Sequence, residues 1–280
     1  MTCTAPPRAM TLGLAEQGAY RCSASDVLCW AGLPTLADAA TDAVHFVMRR
    51  VPAGGALFVE GQHFDKLYLV SGGSFKCVQI DSEGYEQVLS FAIHGDVIGL
   101  DGLGRASHGS GATALEDATV VVLPMRDFLA LGRQLPALES LLHHAVGTEV
   151  ARRGEIQYLM AAASSEVRVV RFLLQFAGRQ RALGHSGRRL RLCMTRRDIA
   201  SHLGVAHETV SRALKTLVQA GCIQVSNRDI ELLDPAALDE LQRVTRGRPG
   251  REAHRSGARR PMAAATHAHG LASMAGAGLQ

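Results

Sequence analysis

One stretch constrains the fold more than any other: Thr195-Arg-Arg-Asp-Ile-Ala-Ser-His-Leu-Gly-Val-Ala-His-Glu-Thr-Val-Ser-Arg-Ala-Leu-Lys-Thr-Leu-Val218. Thr195 followed three residues later by Asp198 has the spacing of a capping box and predicts a helix start. Ile199 and Leu203 lie four apart on one apolar stripe. Gly204 then permits the positive φ that a tight turn requires. In the next segment Val210, Leu214, Leu217 and Val218 form a second apolar stripe, leaving Glu208, Ser211, Arg212 and Lys215 on the opposite face. Two short helices joined at a glycine, the second with a polar face left free, form a helix-turn-helix that can lay its second helix in a major groove.

The chemistry of that free face suits base reading. Arginine bonds bidentately to guanine, glutamate accepts from the cytosine amino group, and serine is permissive. Glu208, Ser211 and Arg212 are therefore the candidate base readers. Thr195, Arg196, Arg197, His207, Thr209 and Lys215 are candidate contacts around them. The runs Cys222-Ile-Gln-Val225 and Asp229-Ile-Glu-Leu-Leu233 alternate apolar and polar residues about a short turn, which predicts a β-hairpin wing. Asn227 and Arg228 at its tip are candidate phosphate contacts, and residues 235–244 read as a closing helix.

Charge is divided in the same sense. Residues 164–260 carry 19 Lys/Arg against 9 Asp/Glu, a net +10, whereas the rest of the chain sums to −6. Only the second half is matched to a polyanion. No run of about 20 apolar residues predicts a membrane span, and no secretory signal is visible, so a cytoplasmic location is expected. The six cysteines, at 3, 22, 29, 77, 193 and 222, are too widely scattered for a disulfide framework in a chain of 280 residues.

Further toward the N-terminus, residues 1–34 read as irregular and about 35–50 as a short helix. Short β-type runs follow at 56–60, 66–70, 75–80, 87–91 and 119–123, punctuated by Gly61, Gly72, Gly84 and Gly95. Regular short strands with glycine turns predict an antiparallel sandwich, here a jelly roll spanning 35–134. From Met125 to about residue 163 helical periodicity returns. Leu135, Leu138, Leu142, Val146, Val150, Ile156, Leu159 and Met160 form a broken stripe suited to pairing with a second copy. A helix over 166–179 opens the second domain, 164–245. Residues 246–280, rich in Arg, Gly, Pro and then Ala, Gly and His, have little to bury and predict a disordered tail. The expected class is α+β: an N-terminal antiparallel β-roll, a long dimerisation helix over 135–163, and a C-terminal winged helix-turn-helix.

That order resembles the cyclic-AMP receptor protein / fumarate-nitrate reduction regulator superfamily. The resemblance is most specific at Met194-Thr-Arg-Arg-Asp-Ile-Ala-Ser-His-Leu-Gly and Glu208-Thr-Val-Ser-Arg212. It extends to Gly95-Asp-Val-Ile-Gly-Leu-Asp-Gly-Leu-Gly104 and Ala114-Leu-Glu116, which are similar to the oxygen-responsive branch. It implies a homodimeric transcription factor, not an enzyme, that binds promoter DNA, contacts RNA polymerase and activates genes. Glu208, Ser211 and Arg212 would then read a two-fold TTGAT–N4–ATCAA site, and the turn Asp81-Ser-Glu-Gly-Tyr-Glu86 would be the candidate polymerase contact.

The chain departs from the family at three places. Cys22 and Cys29 match two ligands of the branch's iron–sulfur cluster, but Ala19 stands at a third position and Val121 at the β-roll cysteine, short of the four thiolates a cubane needs. Cyclic AMP would need an arginine for its phosphate, and Ser110-Gly-Ala-Thr-Ala114 has none, while Asp101 replaces the usual glutamate. Ala206 occupies the threonine cap of the second helix. Heme, thiol oxidation or abundance remain as alternatives for control. A redox or metal-dependent enzyme with an accessory DNA-binding domain would need a ligand cluster or a nucleophile–base arrangement, and neither is visible.

Overall fold

The computed structural model describes residues 20–34, 39–162 and 164–244. The expected tail at 246–280, Cys3 and Ala19 lie outside the described residues. No helix among those described is long and apolar enough to cross a membrane.

The first described segment is ordered where an irregular one was expected. β1 (Arg21–Ser23) leads into α1 (Ala24–Trp30). Ser23 caps this helix by accepting from the Asp26 amide at 3.1 Å, and the Asp26 carboxylate accepts from the Ser23 amide at 2.9 Å. Ala24, Val27 and Leu28 then enter the core. The expected helix over 35–50 is also corrected. Among the described residues of that span α2 (Ala39–Ala43) is the helical part, and β2 (His45–Val51) follows it, with Phe46 and Val51 buried. Bonding of β2 to a distant strand outweighs a weak local pattern, as short segments allow.

The chain continues through β3 (Ala56–Phe58), β4 (Lys66–Gly72), β5 (Phe75–Ile80), β6 (Glu86–Ala92), β7 (Val97–Ile98), a 3-10 turn at Leu100–Gly102, β8 (Gly111–Ala114) and β9 (Ala118–Pro124). These strands form two antiparallel sheets, ordered β1-β2-β9-β4-β7 and β3-β8-β5-β6. Alternation along β9 shows how the layers are made. Val120 lies in the cluster with Val70, Phe75 and Phe58 between the sheets, while Val121 joins Leu28, Phe128 and Leu138 beneath the helices. The turn after β4 uses Gly73 (φ 75°) rather than Gly72, and a Cβ at Gly73 would meet Ala118 Cα at 2.7 Å.

The helical run after Met125 is two helices, α3 (Met125–Gly132) and α4 (Pro136–Met160). Pro136 occupies the opening turn of α4, where its missing N–H costs nothing. The broken apolar stripe expected here divides by face. Leu138, Leu141, Ala145 and Leu159 are buried in the chain's own core, whereas Val146 and Val150 are 38% and 65% exposed.

The remaining elements are α5 (Ser165–Ala182), β10 (Arg189–Arg191), α6 (Arg196–Leu203), α7 (His207–Gln219), β11 (Ile223–Ser226), β12 (Asp229–Leu232) and α8 (Pro235–Val244). The wing is three-stranded, ordered β10-β12-β11, with β10 an addition that three residues of sequence did not announce. One apolar cluster unites Val88, Phe91 and Ile93 of the β-roll region with Phe172 and Phe176 of α5 and Ile199 of α6. Asp96, 8% exposed, accepts from Arg152 of α4 and Arg179 of α5, tying both helices to the turn that follows β6.

Candidate nucleic-acid interface

α6 starts at Thr195, whose Oγ1 accepts from the Asp198 amide at 3.1 Å while the Asp198 carboxylate accepts from the Thr195 amide at 2.8 Å. It ends at Gly204, with φ 60° and ψ 43°. Both features match the expected helix-turn-helix. α7 begins at Ala206 with no side-chain cap, so its start lacks the stabilisation of ~0.5–2 kcal/mol that a threonine or serine supplies there.

On α7, Val210, Ala213, Leu214 and Leu217 are buried. Glu208, Ser211, Arg212 and Lys215 are exposed together with His207, and Thr209 is half-buried. Val218, expected on the apolar stripe, is instead 43% exposed. The polar contacts described on this face stay within α7. His207 Nδ1 lies 3.3 Å from a Glu208 carboxylate oxygen, and Arg212 donates to Thr209 Oγ1 at 3.4 Å. Such local contacts are solvated and individually weak.

Two of the flanking candidates meet across the domain. Thr195 and Arg197 are exposed at the start of α6. Arg196 is half-buried and donates to the Asn227 carbonyl at 3.4 Å, so it joins the helix start to the wing tip. Burial pulls its guanidinium pKa below the ordinary value. Asn227 and Arg228 form a two-residue turn between β11 and β12, with Asn227 at φ 56°, a conformation asparagine tolerates well.

Asp198 does more than cap a helix. Its carboxylate also accepts from Lys76 of β5 at 3.0 Å, and Lys76 pairs with Glu86 of β6. Burial alone would raise its pKa; hydrogen bonds from Thr195 and Lys76 outweigh this and hold it below the usual aspartate value. β6 is an edge strand, and α6 covers that edge. Ser201 Oγ accepts from the Val88 amide and donates to the Glu86 carbonyl, both at 2.9 Å. No local signal could have announced partners more than a hundred residues away.

Between β5, β6, the 3-10 turn and α4 lies a cavity of about 690 Å³, lined in part by Cys77, Ser90, Asp101, Arg105, Arg152 and His202. Asp101 accepts from Ser110 at 2.9 Å and lies 3.4 Å from His108 Nδ1. Residues 110–114 carry no arginine, and the cations that line this cavity are Arg105, Arg152 and Arg153. Among the described residues no three cysteines lie within one another's metal-binding reach. Cys22 donates to the Phe46 carbonyl, and burial pushes its thiol up to about 12. Val121 is fully buried, and among the described residues no group of three His, Cys, Asp or Glu could hold a metal.

Known proteins show the same two-part organisation. Residues 48–134 match the cyclic nucleotide-binding domain family, and residues 167–241 match the Crp-like helix-turn-helix domain family. The transcriptional regulatory protein Btr of Bordetella pertussis is 34% identical over 69% of this chain and 79% of its own length. The transcriptional activator Anr of Pseudomonas protegens is 32% identical over 71% and 83%. The fumarate and nitrate reduction regulatory protein of Escherichia coli is 31% identical over 70% and 78%. The structure of FixK2 from Bradyrhizobium japonicum superposes with a TM-score of 0.62 at 28% identity, over 69% of this chain and 96% of that one. With a β-roll, a long helix and an exposed recognition helix on one chain, this protein belongs to the Crp/Fnr superfamily of DNA-binding transcriptional regulators.

Proposed function

We propose that the protein acts in the cytoplasm as a homodimer that activates transcription from a two-fold TTGAT–N4–ATCAA site. The exposed row Glu208, Ser211, Arg212 on α7 carries this reading, since these groups are solvated and project from a buried apolar base. In each half-site Arg212 takes guanine and Glu208 takes the cytosine amino group. Thr195, Arg196, Arg197, His207, Thr209, Lys215, Asn227 and Arg228 surround them and neutralise or bond the phosphate backbone. The exposed side of α4, with Val146 and Val150, supplies the pairing surface. The β5–β6 turn, residues 81–86, is the surface offered to RNA polymerase; Tyr85 there is 53% exposed.

Selection of bound sites from random DNA tests this directly. Recovery of paired half-sites with the expected spacing supports the reading. Recovery of unpaired half-sites, or of no sequence preference, overturns it. Control by the N-terminal domain fits the 690 Å³ cavity, because one wall belongs to α4 and another includes His202 of α6. An occupant there would touch both the pairing helix and the helix-turn-helix.

A further inference from the structure

Arg171, in the first half of α5, is only 3% exposed and has no carboxylate partner among the described residues. A buried guanidinium without a counter-ion is costly unless other groups answer its charge. Here three do. Nη1 donates to the Tyr158 carbonyl at 2.6 Å, the guanidinium carbon stands 4.1 Å from the centre of the Tyr158 ring, and Nη2 donates to the Gln242 carbonyl at 3.5 Å. Nε has no hydrogen-bond partner.

The two carbonyls share a property. Tyr158 lies in the last turn of α4 and Gln242 in the last turn of α8. The terminal carbonyls of a helix lack intrahelical donors and carry the negative end of its dipole. One cation therefore joins the C-terminal ends of two helices to a third. Only residues 161–164 separate α4, which bears the pairing surface, from α5, which roots the helix-turn-helix.

We propose that Arg171 is a positioning residue: it sets the direction in which each DNA-binding domain leaves the long helix, and so the half-site spacing a dimer accepts. This rests on the homodimer reading above. A side chain of similar volume without charge would fill the space yet leave both carbonyls unbonded, and the short connection could then swivel. Lysine would keep the charge but lack the fork that reaches two carbonyls.

The test measures full-length wild type, Arg171→Met and Arg171→Lys on duplexes with two half-sites at the preferred spacing, one base pair less and one more, and on a single half-site. Wild type should prefer its spacing by about tenfold, near 1.4 kcal/mol. Arg171→Met should bind the preferred duplex less tightly and discriminate spacing by under about threefold, with single-half-site affinity unchanged. Arg171→Lys should fall between. Thermal unfolding reports folding separately, since replacing a buried charge by an apolar group is often neutral or stabilising. If the Met variant does not fold, the lysine variant decides on the same scale. Wild-type spacing preference in the folded variants overturns the proposal alone. Equal wild-type affinity for single and paired half-sites overturns the dimer reading, and the proposal with it.

Discussion

In α6, Asp198, Ser201 and His202 are 9%, 9% and 8% exposed, and each is bonded to its own chain. In α7, Glu208, Ser211, Arg212 and Lys215 reach solvent from the same kind of amphipathic helix. The residue types overlap, yet their partners differ completely. Ser201 and His202 of α6 complete a sheet edge that would otherwise expose unpaired backbone, and Asp198 holds Lys76 of the next strand. Those of α7 are left for something outside the chain. Polarity on a helix thus says little about function until the tertiary partners are counted; the informative property is polarity that nothing in the fold consumes.

If that contrast is sound, substitutions in the two helices should separate stability from DNA affinity. The largest effect is expected from Asp198→Ala, which removes a capping box and leaves Lys76 without its α6 partner. It should cost roughly 2–4 kcal/mol of stability by chemical denaturation, while the remaining folded protein keeps its sequence preference. Loss of preference without loss of stability would break the contrast.

Arg212→Ala should do the reverse. It should cost about 1–3 kcal/mol on a matched site, relax preference at one base pair per half-site, and shift stability by under ~0.5 kcal/mol. Equal losses on matched and mismatched duplexes would contradict base reading. Arg196→Ala sits between the two classes, since it touches the Asn227 carbonyl and stands beside the expected phosphates. It should weaken matched and mismatched sites alike and reduce the salt slope by about one. An unchanged slope would make Arg196 a brace for the wing alone.

The smallest effect concerns pH. Burial lowers the pKa of His202, which packs against Phe91 and Phe172 with ring centroids at 5.1 and 5.9 Å. The folded state then resists protonation more than the unfolded chain does. Stability is complete above the ordinary histidine value, falls as pH drops below it, and levels off once the folded pKa is passed. His202→Phe should remove this part of the pH dependence in denaturation midpoints. An identical pH profile in the variant would show that His202 does not contribute.

The elements most legible in sequence were those whose signals are local. The Thr195–Asp198 box, Gly204, the apolar stripe through Val210, Leu214 and Leu217, and the helix over 235–244 are each set by neighbours within a few residues, so spacing alone reveals them. Glycine turns likewise marked most of the β-roll. What failed did so where structure depends on remote pairing. β2 carries little local strand signal because its strand character comes from bonding to β9, some seventy residues later. The segment 21–30 looks irregular in sequence because it is short and its stability comes from packing on Phe46 and Leu138.

The site divides along the same line. Sequence by itself determined that a helix with an arginine–glutamate face would form, that it would follow a tight turn, and that the basic half of the chain would meet a polyanion. Only the tertiary structure decided that Asp198 answers Lys76, that Ser201 closes the edge of β6, and that Arg171 gathers two helix ends. The physical reason is reach. Helix periodicity and capping act over one or two turns, whereas the partner of a buried charge or an unpaired strand edge is chosen by whichever distant group folding brings within hydrogen-bond distance.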